Sequence, residues 1–193
     1  MVRTRDVRID EAILAATVEL LGTVGYQQLT MGAVAAEAGV HRPAVYRRWP
    51  SKQHLVVEAV AGQLGVTPTP DTGDLRGDLV AGMTTLVHAL SGTALGRALP
   101  ALVADLASDP ELAAEFRRRV FDPRRETTAA ALRSAIERGE IDPGIDMDFT
   151  LDALAAPLYY RALFGHLPLT ESLAERTVDM VLAAITPGQA GLR

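Results

Sequence analysis

The sequence predicts an all-α fold. Apolar residues recur at spacings of three and four along most of its 193 residues, the period of helices with one buried face. No stretch alternates apolar and polar at the period of two that a half-buried strand requires. The gaps between periodic segments hold glycine, proline and hydroxyl or acidic residues, the groups that start and stop helices.

The elements follow in order. Ile13, Thr17, Leu20 and Val24 share one face and Gly25 stops them, so a first helix is expected over about residues 10–24. Thr30 offers an N-cap to a short helix ending near Ala38, and Gly39 takes the left-handed turn behind it. A second short helix is expected from His41 to Trp49. Pro43 falls in its first turn, where a missing N–H costs nothing, and Pro50 ends it. Ser51 caps a further helix bearing Leu55, Val56, Ala59, Val60 and Leu64.

Thr67 to Asp74, reading TPTPDTGD, is the clearest break. Beyond it Leu79, Met83, Leu86 and Leu90 mark one helix, and Leu95, Leu99, Leu102 and Leu106 another. Asp109-Pro110-Glu111 is an N-cap followed by proline at the first helical position. It opens a segment with Leu112, Phe116 and Val120, expected to kink or break at Pro123 and continue through Leu132 and Ile136 to Gly139. DPGIDMD is a loop ending in acidic caps. Two last helices are expected over about 149–164, bent at Pro157, and 170–185; the tail ITPGQAGLR is expected to fray.

One segment points to a function. Thr30 to Lys52 reads TMGAVAAEAGVHRPAVYRRWPSK. Two short helices joined by a tight glycine turn, the second of them basic, make a helix-turn-helix, which places its second helix in the major groove of DNA. Ala35, Ala38, Val40 and Val45 are small or branched groups through which the helices cross closely. Trp49 and the aliphatic side of Tyr46 are expected to pack with them. The exposed face then holds His41, Arg42, Pro43, Tyr46, Arg47 and Arg48. The first turn of such a helix reaches base edges, so Arg42 is the expected direct reader, its fork matching the two acceptors of guanine. Pro43 can touch only a thymine methyl or the sugar edge.

The net charge of −5 at first argues against a nucleic-acid partner, but its distribution answers the objection. Residues 1–60 carry seven basic and six acidic side chains, +1; residues 61–193 carry 12 and 18, −6. A near-neutral head with a local basic face, ahead of an acidic body, is compatible with contact through that face alone. Arg3, Arg5 and Arg8 form an arm expected to reach along the backbone or into the minor groove.

Composition bounds the rest. With 48% hydrophobic residues the chain is globular. It has no cysteine, hence no disulfide framework or thiolate site. His41, His54, His88 and His166 show no metal-ligand spacing, so neither metal nor cofactor is expected. No apolar run is long enough for a bilayer, and MVRTRDVRIDEA lacks the apolar stretch of a signal peptide, so a cytoplasmic setting without a membrane partner is expected. GxSxG, HExxH, P-loop and dinucleotide fingerprints are absent, which argues against an all-helical enzyme.

The same residues carry a recognisable pattern: Gly25-Tyr26, Thr30, Val34-Ala35, Ala38-Gly39-Val40, Val45-Tyr46, Trp49, Ser51-Lys52 and Leu55. In these, over about residues 9–60, the chain resembles the TetR family of bacterial transcriptional regulators. The aromatic-rich stretch Pro157 to Phe164 in the helical remainder looks like that family too, more diffusely. The resemblance implies a three-helix DNA-binding head over residues 1–50. It implies a helical effector-binding and dimerisation domain over 51–193, with the helix from Ser51 linking the two. It further implies a homodimer on a palindromic double-stranded operator, a small-molecule effector that alters head spacing, and repression as the commonest outcome. A dimeric DNA-binding protein without a ligand is the alternative.

Thr30, Tyr46 and Lys52 fit the family's phosphate-contact positions, and Thr30 and Lys52 sit at helix N-termini, where backbone N–H groups favour an anion. A cap alone would equally account for Thr30 and Ser51, and a solvated face for Arg47 and Arg48. His41 departs from the small hydroxyl residue the family often has there.

The resemblance also places a ligand cavity among the helices from Leu75 to Gly139. Expected wall residues are Met83, Val87, Leu90, Leu102, Leu106, Phe116, Val120 and Phe121, with His88, Tyr159, Tyr160 and Phe164 adding polar or aromatic groups. Plain core is the other reading of each. The aliphatic character of the set points to a small apolar effector, while Arg97 and Arg161 leave an anionic one open. Leu151, Leu154, Leu158, Leu173, Val178, Val181 and Ile185 either pair with symmetry mates as a four-helix interface or pack within one chain.

Overall fold

The computed structural model describes residues 7–64 and 67–186. Arg3 and Arg5, the side chains of Leu64 and Leu95, and the tail beyond Thr186 lie outside the described residues. Among the described residues there is no strand. The chain divides into two compact units, the first of residues 1–65 with 93–120, the second of 66–92 with 121–193.

The first unit holds α1 (Val7–Thr23), α2 (Gly25–Gln28), α3 (Met31–Glu37), α4 (Arg42–Tyr46), α5 (Lys52–Leu64), α7 (Ala94–Ser108) and α8 (Pro110–Phe116). Ile13, Ala16, Thr17 and Leu21 form the buried stripe of α1, and Thr17 donates its hydroxyl proton to the Ile13 carbonyl at 2.7 Å. Thr30 caps α3 by accepting from Ala33 N at 3.1 Å, a contact worth about 1 kcal/mol. Gly39, at φ 65°, closes α3. Its N–H donates to Ala36 and that of Val40 to Ala35, at 3.2 and 2.9 Å, the paired bonds of a left-handed C-terminal cap.

Three local expectations are corrected. Gly25 does more than stop α1: at φ 77° it opens the single turn α2, which buries Tyr26. The second short helix is only Arg42–Tyr46; Arg47 to Trp49 form a looser turn, with Arg48 N and Trp49 N both reaching the Val45 carbonyl at 3.0 Å. The segment from Pro110 leaves the α-helical pattern just before Pro123 and not at it. A π-helical turn, Arg117–Phe121, precedes α9 (Asp122–Glu137), and Pro123 sits in the first turn of α9. The wider turn takes up the bond that proline cannot donate and makes room for its ring.

The second unit holds α6 (Leu75–Leu90), α9, α10 (Met147–Phe164) and α11 (Glu171–Ile185). Helix α6 packs against α9, α10 and α11, and α10 against α9 and α11. Leu79, Leu132, Leu154, Leu158, Ala174 and Val178 are fully enclosed. Each large aliphatic side chain buried there contributes roughly 1.5–3 kcal/mol. Asp74, Asp146 and Thr170 cap α6, α10 and α11. The segment before α6 is bound down by the buried carboxylate of Asp78, which accepts from Thr72 N and Thr72 Oγ1 at 2.8 and 2.9 Å. It also rides close over α6 at Gly82, where a Cβ would stand 2.6 Å from Thr69 Oγ1.

Leu151, Leu154, Leu158, Leu173, Val178 and Val181 pack inside the chain. The outer surfaces of α10 and α11 instead expose Phe149, Tyr160, Phe164 and Met180.

Candidate nucleic-acid interface and effector cavity

The helix-turn-helix is built by burying one side of α3 and α4. Val34, Ala35, Val45 and Trp49 are at most 3% exposed. Trp49 donates its indole N–H to Glu58 of α5 at 2.8 Å. Burial of Val45 and Trp49 turns the opposite side of α4 to solvent, with His41, Arg42, Pro43, Tyr46 and Arg47 exposed. Tyr46 is 44% exposed, so its ring belongs to this outer face as expected. Arg42 lies along the same face: its Nη2 donates to the Tyr46 hydroxyl at 3.1 Å, and its guanidinium carbon is 5.4 Å from the Tyr46 ring centroid. One helical turn separates the two residues, the spacing that brings side chains together on a helix.

Arg48 is not on that face. It turns inward to an ion pair with Asp10 of α1, both side chains 13% exposed, and Nη1 donates to the Ala44 carbonyl at 3.0 Å. The loose turn after Tyr46 rotates it away from the stripe that a regular helix would have continued. Lys52 is likewise engaged: Nζ donates to the Tyr26 carbonyl at 3.0 Å and stands 4.6 Å from that ring's centroid. Thr30 is exposed while capping α3, and a hydroxyl accepting one N–H retains its proton for a second partner. Arg8 lies exposed on α1.

The second unit contains a cavity of about 60 Å3. Met83, Leu86, Phe121, Leu151 and Ala155 supply its apolar wall. Thr67, Thr69, Thr85, Thr127 and Thr128 line it too, and Arg124, Arg125 and Tyr159 complete the lining with Gly82. Thr69 and Thr128 are hydrogen-bonded to each other at 2.9 Å. Arg125 is held by Asp152 at 2.6 Å and by Asp148 at 2.9 Å. Burial pulls the Arg124 guanidinium below its usual pKa, with Tyr159 acting in the opposite sense. Burial raises the Tyr159 phenol, opposed by Arg124.

Of the residues expected around a ligand, the cavity gathers Met83, Phe121 and Tyr159. Val87 and Leu90 are buried in the second unit away from it. Leu102, Leu106, Phe116 and Val120 belong to the first unit, because α7 and α8 pack against α1, α2 and α5. His88 is exposed, with Nε2 2.9 Å from Glu171. Tyr160 and Phe164 are exposed and lie against each other, centroids 4.9 Å apart. Arg97 is on α7, and Arg161 donates to the Pro168 carbonyl at 2.9 Å. Arg124 and the threonines escape a sequence reading that follows apolar stripes. The available signal was Thr127-Thr128 inside a helix behind Arg124-Arg125, β-branched polar residues where helix propensity does not favour them.

Among the described residues no group of three or more His, Cys, Asp or Glu could hold a metal ion. No helix there is long and apolar enough to cross a membrane.

A helix-turn-helix with a solvent-facing basic second helix, in a chain that also carries an all-helical unit with a cavity, defines a class of transcriptional regulators. Residues 13–59 match the profile of bacterial regulatory proteins of the tetR family, and residues 69–181 that of the tetracyclin repressor-like C-terminal domain. A DNA-binding transcriptional repressor, TetR, of Mycobacteroides abscessus is 33% identical over 183 residues, 92% of this chain and 94% of the relative. The HTH-type transcriptional regulator YdeS of Bacillus subtilis is 29% identical over 97% of this chain and 93% of its own length. The crystal structure of the TetR family regulator SCO0332 superposes with a TM-score of 0.74 at 34% identity, covering 93% of this chain and 99% of that one. The chain belongs to the TetR family and is a DNA-binding transcriptional regulator of the helix-turn-helix type.

Proposed function

We propose that the protein is a repressor, released from its operator by a small effector with an apolar body, and not an enzyme. The observation that carries this is the exposed face of α4: Arg42, Pro43, Tyr46 and Arg47 stand clear of the core while Val45 and Trp49 are buried. Residues 1–50 form the reading head and 51–193 the sensing and dimerising remainder, with α5 linking them. Arg42 reads a guanine edge. Thr30, Tyr46, Arg47 and Lys52 hold phosphates, with Lys52 exchanging the Tyr26 carbonyl for a phosphate oxygen. His41 and Pro43 border the base edges. Arg48 contributes by fixing α4 to α1.

Two recognition helices must stand about one helical turn, ~34 Å, apart to enter successive major grooves. A homodimer supplies them, and the exposed Phe149, Phe164 and Met180 of α10 and α11 support pairing through those helices. The effector occupies the cavity of the second unit and shifts the dimer toward another spacing by its differential affinity for the two states. The relative named as a repressor supports the direction of control. Such a protein works beside its DNA, in the cytoplasm.

The test is selection of bound sequences from a random double-stranded DNA pool at two salt concentrations. Enrichment of a palindrome, with affinity falling as salt rises, is the expected result. Enrichment of a single unrepeated half-site would overturn the dimer, and salt-independent binding would overturn the phosphate contacts.

A further inference from the structure

We propose that Tyr46 is the positioning residue for Arg42: its hydroxyl accepts from Arg42 and donates to a phosphate, which couples reading of a base edge to contact with the DNA backbone. This rests on the reading of Arg42 as the base reader and of Tyr46 as a phosphate contact, and adds the link between them. The link exists before any DNA is bound. Arg42 Nη2 donates to the Tyr46 hydroxyl at 3.1 Å, and the guanidinium carbon is 5.4 Å from the centroid of the Tyr46 ring. Among the described residues no other hydrogen bond or ion pair holds the Arg42 side chain.

The chemistry of the partner decides what the contact can do. A carboxylate one turn along would hold the guanidinium as firmly, but it would cancel the charge and repel a phosphate. The uncharged phenol does neither. A phenolic oxygen accepts one hydrogen bond and donates another, so after accepting from Arg42 it keeps its own proton for a phosphate oxygen. The ring adds a second hold, because a guanidinium over an aromatic face is attracted to it. Tyr46 is also firmly based: it follows Val45, which is fully buried, and is the last residue of α4.

The neighbouring cations make the contrast. Arg48 is engaged by Asp10, and the Arg47 side chain has no hydrogen bond or ion pair among the described residues. A charge that neutralises phosphates needs no fixed plane. A guanidinium that forks onto the two acceptors of guanine does, and a long side chain ordered beforehand loses less freedom on binding. Arg42 is the arginine on this exposed face that is held.

The experiment uses the full chain, the operator recovered by sequence selection, and copies of that operator changed at the position where Arg42→Ala relaxes preference. Wild-type protein, Tyr46→Phe, Arg42→Ala and the double variant are titrated against each by fluorescence anisotropy. Phe keeps the ring and removes the hydroxyl at an exposed site, so unfolding midpoints should match. Tyr46→Phe is expected to reduce discrimination at the Arg42 position roughly threefold to tenfold. In the Arg42→Ala background it is expected to reduce it no further. Equal weakening by Tyr46→Phe on every operator copy would overturn the proposal and leave Tyr46 a phosphate contact alone. Relaxation at a different position would overturn it too, since Tyr46 would then read a base of its own. Failure of the underlying reading looks different: Arg42→Ala by itself would relax no position, and the proposal would fall with it.

Discussion

The hydroxyl of Tyr26, on the single turn α2, donates to the carboxylate of Asp105 on α7, 79 residues along the chain. The carbonyl of the same residue accepts from Lys52 at the start of α5. Tyr26 therefore clamps α2 between two helices distant in sequence and is itself buried.

Tyr26→Phe removes the donor and leaves Asp105 without it, at an expected cost of about 1–2 kcal/mol near neutral pH. Burial first, then the bond to Asp105, raises the Tyr26 phenol well above its ordinary value. The folded state thus keeps a proton that the unfolded chain loses above about pH 10. The contribution is complete below that pH and declines as pH rises through and beyond it. Denaturant titrations across this range should show a steeper loss for the wild-type protein than for Tyr26→Phe. Identical slopes would mean that Tyr26 is not the group responsible.

The Arg48–Asp10 pair ties α4 to α1 with both side chains largely enclosed. A double-mutant cycle of Arg48→Ala and Asp10→Ala is expected to give a coupling of roughly 1–3 kcal/mol, above that of surface pairs. Arg48→Ala should weaken binding equally on all operator variants, because it loosens α4 without touching a base. A change of preference at one base position would instead make Arg48 a reader.

Arg42→Ala should reduce operator affinity by ~1–3 kcal/mol and relax preference at one position in each half-site. Repeating the sequence selection with the variant reads both effects. Unchanged preference would reassign Arg42.

Arg47 is exposed on α4, so Arg47→Gln should leave the unfolding midpoint unchanged. If it neutralises one phosphate per protomer, the slope of log affinity against log salt should fall by roughly 1 for each half-site. An unchanged slope would make it a solvated charge.

Gly82→Ala places a Cβ 2.6 Å from Thr69 Oγ1, and Thr69 is buried against Thr128. Displacing that pair is expected to cost about 1–3 kcal/mol and to blunt the response to any effector of the cavity. Wild-type stability in calorimetry would show that the Thr67–Asp74 segment yields freely.

What the sequence by itself determined was local. Helix periods, Thr30 as a cap, Gly39 as a left-handed terminator and Pro110 at a first turn are rules enforced within a few residues, and they were legible without coordinates. So was the pairing of α3 with α4, because the turn between them is too short to allow another partner. Only the tertiary structure decided which helices share a core. It placed α7 and α8 with the head helices, and so removed Leu102, Leu106 and Phe116 from the cavity. It turned Arg48 inward and brought Arg124, Thr69 and Tyr159 together from three separate segments. An apolar stripe states that a face will be buried but not against what. That choice depends on long-range packing and on charges that meet only after the chain has closed on itself.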